Sequence, residues 1–291
     1  MPTATQTADP HAIAAEAIKG LTTLATLPEI TTHIIATIED PRSSAGKLHA
    51  IVAHDPALAT RILRVVNSAF YGLPGKIASV ERAIAMLGST AVKNIAVASS
   101  LGQMFRGGKL CEGFGVRDLW THCIAVAVTA RELARRMQSP LADEAFLAGL
   151  IHDIGILVEL QFWPEQVREV CKTVWSSGGD FCQSERAAMR VDHQLLGKVL
   201  TEHWNFPRVC QDVAACHHDP TTAADDTRQA VTLVHVADVL CCQFNQGFNL
   251  TALNQKLNEP AMAASGIDAA MLEAVGANLK KSVADAAGAF N

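Results

Sequence analysis

Aromatic residues are scarce in this chain, at 5% of 291 residues with a single tyrosine, Tyr71. No run of six or more residues alternates between apolar and polar, and neither an Asn-Gly nor an Asp-Gly pair occurs. The usual strand formers and hairpin turns are therefore missing, which argues against an all-β or mixed fold. Basic charge is also in short supply. Against 29 Asp+Glu there are 24 Lys+Arg, a formal net charge of −5. That argues against a dedicated nucleic-acid binder held by phosphate contacts. No uninterrupted apolar run approaches the roughly 20 residues of a membrane helix. The opening MPTATQTADP lacks the basic-then-apolar layout of a secretory signal. The expectation is a cytoplasmic protein without membrane contact. Eight cysteines lack the spacing of a disulfide framework, so they read as reduced core residues, with the vicinal Cys241-Cys242 as small core fillers.

Apolar residues are plentiful instead, at 49% against 18% charged, enough for a packed core. At roughly 150 residues per domain the length suggests two units. Alanine dominates, which favours helix, and the fold class expected is all-α. Asp9-Pro10 and Asp55-Pro56 each set a capping acid ahead of a proline suited to the first helical position. From Pro56 to Phe70, Leu58, Ile62, Val65 and Val66 recur at helical spacing. Pro28 opens a helix carrying Ile30, Ile34 and Ile38, and Ser79 opens one that ends at Gly88.

The glycine-rich stretch Phe105–Val116 reads as a connector between two packed helical bundles, residues 1–110 and 111–291. Beyond it one long helix carries Leu119, Cys123, Val126, Ala130, Leu133 and Met137. Further helices are expected over Asp143–Phe162, Pro164–Ser176, Phe181–Arg190, His193–Trp204, Pro207–His217 and Arg228–Gln243, with a last one near Ala269–Ala286. The first unit holds ten Lys/Arg against seven Asp/Glu, a net +3, which leaves −8 for the second. An acidic second half suits cations better than polyanions, although a solvated acidic surface explains the same count.

Chemistry concentrates in that second half. Asp118, His122, His152-Asp153, His193, His217-His218 and Asp238 form an ordered series. Asp118 and His122 stand four apart on one helix and share a face. His152-Asp153 interrupts the apolar AGLIHDIGILVEL, where unpartnered polar groups are costly and a divalent metal would satisfy both. Taken singly each residue has a plain structural explanation, such as a salt partner or a helix end. As a set they suit Fe, Mn, Zn or Ni, with no decisive preference.

The order H…HD…H…HH…D resembles the HD superfamily of metal-dependent phosphohydrolases. The segments LATLPEI, HDPALATRILRVVNSAFYG and IASVERAIAMLGSTAVKNIAV narrow the resemblance to the HDOD family of bacterial signalling output domains. LWTHCIAVA, SERAAMRVDHQLLGKVL, WNFP and HHDP follow in family order. The resemblance implies a helical bundle packed on a degenerate HD-type bundle and a role in signal transduction without established catalysis. Compared with catalytic HD-GYP relatives, the metal pattern matches His122, His152, Asp153, His193, His217, His218 and Asp238, with Asp118 where a glutamate is expected. Two parts of the catalytic pattern are absent. Ile156 follows HDIG in place of a lysine, and HHDPTTAAD replaces the GYP loop.

The expectation is therefore a non-enzymatic output or adaptor module that acts through a signalling protein partner and retains a metal site. The alternatives are a metal-dependent phosphohydrolase, in which Asp153 would bridge two ions, and a metal-dependent sensor.

Overall fold

Capping residues set the first helix boundaries. The computed structural model describes residues 9–21, 27–37, 40, 42 and 44–290. Leu24, Ala25 and Thr26 of LATLPEI, and Ile38, lie outside that set. Helices α1 (Pro10–Gly20) and α4 (Pro56–Val66) each begin on proline. Asp9 accepts from the amide of His11 at 3.1 Å and Asp55 from that of Leu58 at 2.9 Å. Caps of this kind are worth about 1 kcal/mol each.

Helix α4 ends earlier than its apolar periodicity suggests, because Asn67 turns the chain. Its Oδ1 accepts from Ile77 N at 2.7 Å, and its Nδ2 donates to Leu63 O at 2.7 Å and Ile77 O at 2.9 Å. The NSAFYG turn is thereby clamped to the segment that follows it. Between these helices lie α2 (Glu29–Ala36) and α3 (Ala45–Ala53), the latter opened by Ser44. Helix α5 (Val80–Leu87) starts at Ser79 and stops at Gly88, whose φ of 87° and ψ of 160° suit glycine alone. Helix α6 (Ser89–Leu101) follows at once and is buried along most of its length.

Two departures from the sequence reading matter. Within the expected connector, β1 (Lys109–Cys111) and β2 (Phe114–Gly115) pair antiparallel across a turn at Gly113, where φ is 83°. These strands are too short to leave an alternating pattern. Helix α7 (Val116–Arg136) then runs through the core. The single helix expected over Asp143–Phe162 is instead two, α8 (Ala142–Ile151) and α9 (Gly155–Phe162), broken at His152, Asp153 and Ile154. An apolar stretch buried on every side carries no period that would mark such a break. The stretch Ala142–Phe162 has the length and mean hydropathy, 1.5, of a membrane span, but 83% of its apolar window is buried inside this fold.

The remaining helices are α10 (Pro164–Ser177), α11 (Phe181–Met189), α12 (His193–His203), α13 (Arg208–Cys216), α14 (Arg228–Gln243), α15 (Glu259–Ser265) and α16 (Ala269–Phe290). Helix α7 packs along α8, α14 and α16, while α12 packs between α9 and α13. Glycine permits the α9–α12 approach: a Cβ on Gly155 would lie 2.0 Å from His193 O. One apolar cluster extends from Ala14 to Phe290 across both halves. Helix α1 packs on α9 and α12, and α16 lies along α7 and reaches α4. The Ala-rich tail is thus part of the core. Apart from the small hairpin, the described residues form an all-α protein.

Candidate metal centre

Five helix segments deliver seven of the predicted side chains to one point. His122 comes from the second turn of α7, His152 and Asp153 from the break after α8, and His193 from the first residue of α12. His217 and His218 come from the end of α13, and Asp238 from the middle of α14. The α12 start is set by Asp192, which caps Leu195 N at 2.9 Å. His122, His152, Asp153, His193, His217 and Asp238 are fully buried, and the His218 side chain is 11% exposed.

Asp118 does not join them. Its Oδ2 accepts from Gly115 N at 2.7 Å, closing a capping box at the start of α7. A position four residues before His122 shares its helical face, but this aspartate is short and lies at the first turn, where amide donors claim it.

The two oxygens of Asp153 divide the centre. Oδ1 lies 3.4 Å from the Nε2 of both His193 and His217. Oδ2 lies 3.2 Å from His152 Nε2 and 3.6 Å from His122 Nε2. Asp238 Oδ1 stands 3.0 Å from His122 Nε2. His193 Nε2 is 3.1 Å from His218 Nε2. Several overlapping ligand groups result, two of them built on Asp153. Asp153, His193, His217 and His218 form one, and His122, His152 and Asp153 the other, each with its ligand atoms within 4.8 Å of one another.

Hydrogen bonds on the far side of each ring fix which nitrogen faces inward. Nδ1 of His122, His152 and His217 lies 3.2, 2.8 and 3.0 Å from the carbonyls of Gln246, Gly149 and Val213. Nδ1 of His218 is 2.6 Å from Gln255 Oε1, and that of His193 is 2.8 Å from Glu185 Oε2. A carbonyl or carboxylate oxygen can only accept, so each Nδ1 carries the proton and donates. All five Nε2 lone pairs then point into the same buried space.

His122 Nε2, His152 Nε2, both oxygens of Asp153 and Asp238 Oδ2 make no hydrogen bond there. Buried polar atoms left without partners are costly. Lone pairs converging from imidazole and carboxylate are the donor set of a divalent cation. The residues therefore fit the metal.

Electrostatics agree with this arrangement. Burial would raise the Asp153 carboxyl, but His152, His217 and His193 outweigh it and hold the group well below the usual range. The same contest, with His122 and His152 prevailing over burial, lowers Asp238. Burial pushes His217 and His218 down, and the neighbouring imidazoles push His218 further. For His152, burial pulls down but Asp153 and Asp238 prevail and raise it. Lowered carboxylates beside the lowered His217 and His218 are the protonation states that metal ligation requires, whereas at His152 a cation would have to displace a proton.

The supporting groups were not foreseen in the sequence. Glu185 was legible in principle, since it falls on the buried stripe of α11 with Phe181, Cys182 and Met189. Gln255 lies 37 residues beyond His218 and offers no local signal. Gln246 serves through its backbone, which sits against α7 because residue 247 is glycine. A Cβ there would lie 2.4 Å from Asp118 O.

The HDOD domain family model matches residues 24–220, more than half of the chain. The chain belongs to the HDOD domain family. The fold of this HDOD chain is shared by an HDOD domain protein of unknown function from Geobacter sulfurreducens, with TM-score 0.80 and 23% identity over 97% of both chains. A signal transduction protein, provisionally so named, from Marinobacter aquaeolei VT8 is similar at TM-score 0.78 and 25% identity, over 97% of this chain and 66% of that one. A Shewanella amazonensis SB2B protein that carries the provisional name phosphohydrolase gives TM-score 0.74 at 20% identity, over 96% and 98%. An uncharacterized Treponema pallidum (strain Nichols) protein is 22% identical over 73% of this chain, which spans only 41% of that relative's length.

Proposed function

We propose that this HDOD chain is a signal-transduction module that acts through protein contacts and holds a divalent metal without turning over a substrate. The observation that carries the reading is the closure of the centre. Six of its seven side chains are fully buried and the seventh is nearly so. Burial of this extent leaves a phosphoester little access to the ligands, whereas catalytic metal sites keep a position open to substrate. Where catalytic relatives carry a lysine, Ile156 is buried in the core, so that position offers no cation to a phosphate. The HHDP turn is taken up by Asp219, which caps the short helical turn Pro220–Thr222.

A mechanical connection to the first half supports the signalling part. The Arg131 guanidinium on α7 lies 5.8, 5.4 and 5.7 Å from the ring centres of Phe70, Tyr71 and Phe146. It also pairs with Asp143 at 3.4 Å. The NSAFYG turn thus grips α7, which carries His122, and Arg131 grips the start of α8, which ends at His152. Rigid helices anchored at both ends are a route by which a change at one end biases the other.

A bound ion would supply positive charge to the centre and lock five helix segments together. The second reading is phosphohydrolysis, favoured by the two faces of Asp153, a geometry that suits paired cations. Protein loaded with Mn²⁺ or Fe²⁺ and offered cyclic dinucleotides and simple phosphoesters separates the two. No turnover is expected, and robust turnover abolished by His152→Ala would overturn the adaptor reading.

A further inference from the structure

Four of the five centre histidines lean on neutral acceptors, three backbone carbonyls and the Gln255 amide. His193 alone among them leans on a carboxylate. Glu185 Oε1 and Oε2 lie 2.9 and 2.8 Å from His193 Nδ1, and Oε2 also accepts from His193 N at 3.2 Å. Glu185 is fully buried, and the adjacent cation Arg186 is committed to Asp192. The Phe181 ring flanks the imidazole at 6.0 Å between centroids. Backbone and side chain of His193 are thus held by one carboxylate on a different helix.

A carboxylate on the far nitrogen fixes ring and tautomer more firmly than a neutral acceptor does, and it makes the inward nitrogen a better donor. His193 shares a ligand group with Asp153, His217 and His218 and another with Cys182 and Glu185, but none with His122 or His152. We infer that Glu185 is the positioning residue that makes the group of Asp153, His193, His217 and His218 the tighter cation subsite, filled before the subsite of His122 and His152.

The inference rests on the metal reading proposed above, and the test keeps the two apart. Cobalt(II) is titrated into the metal-stripped protein, followed by calorimetry and by the visible absorption of bound cobalt. The wild type is expected to bind in two steps of unequal affinity. Burial pushes the Glu185 carboxyl up while the His193 amide favours its ionised form, and Glu185→Gln preserves shape and an acceptor oxygen but removes the acid altogether. It is expected to weaken the first step by about 10- to 100-fold, shift the first cobalt spectrum and leave the second step unchanged. Glu185→Asp restores the acid and should recover part of the loss.

A Glu185→Gln protein that binds cobalt as the wild type does overturns the inference while the metal reading stands. A wild type that binds no cobalt overturns both. Should the variants not fold, imidazole ¹⁵N NMR of the wild type decides. The inference requires a strongly deshielded Nδ1 proton on His193, assigned by its loss in His193→Gln, and a bare Nδ1 there refutes it.

Discussion

At the scale of single residues, the centre concentrates buried charge that the rest of the fold has to tolerate. Glu159, behind Glu185, shows what that demands. Both of its oxygens are buried without a donor, and it stands within hydrogen-bonding reach of Glu185. Burial first, and the charge of Glu185 next, raise the Glu159 carboxyl well above the usual range. The folded chain therefore keeps a proton that the unfolded chain releases as pH rises past the ordinary glutamate range. Stability is fully present below that range and falls by about 1.4 kcal/mol per pH unit until the folded group ionises. Glu159→Gln mimics the protonated acid without this penalty. Its thermal midpoint should exceed that of the wild type at pH 8, with the difference vanishing near about pH 4. A difference independent of pH would show that Glu159 is not held protonated.

Among the helices, the break between α8 and α9 matters most for the site. It turns His152 and Asp153 inward, and it depends on Gly155 allowing the start of α9 to rest on the backbone of α12. Gly155→Ala would drive a methyl group into His193 O. A loss of about 2 kcal/mol or more is expected, because backbone cannot move aside as a flexible side chain can. Urea unfolding measures it, and weaker metal retention should accompany the loss.

The same segment shows what the sequence could and could not reveal. The His and Asp series was legible because its polar residues interrupt apolar helices, where only a shared purpose explains them. Asp118 belonged to the series by spacing, yet it caps its own helix. The α8–α9 break and the 109–115 hairpin left no periodic trace, and helix α3 left only the short set Leu48, Ile51 and Val52 behind Ser44. The carbonyls of Gly149, Val213 and Gln246 that orient the rings were illegible in principle, since every residue carries one.

Across the whole molecule, one core joins the NSAFYG turn to the candidate metal centre through α7 and α8, with Arg131 as the joint. Arg131→Met keeps bulk but removes the cation from between Phe70, Tyr71 and Phe146. A loss of about 1–3 kcal/mol is expected from the cation–π contacts and the Asp143 pair, whose carboxylate is partly solvated. The more telling readout is hydrogen exchange. In the wild type, adding metal should slow exchange in α4 as well as in α7 and α8, whereas in Arg131→Met the protection should stop short of α4. Equal protection of α4 in both proteins would mean that the halves respond independently of this joint.

All of this depends on the inward-facing nitrogens and carboxylates holding a cation. The most direct measurement is elemental analysis of the purified, dialysed wild type beside Asp153→Asn, the variant that neutralises the carboxylate shared by both ligand groups. The account predicts a divalent transition metal retained by the wild type and lost from Asp153→Asn, with the variant still folded. A folded wild type that carries no metal and takes none up from excess Fe²⁺, Mn²⁺, Zn²⁺ or Ni²⁺ would contradict it.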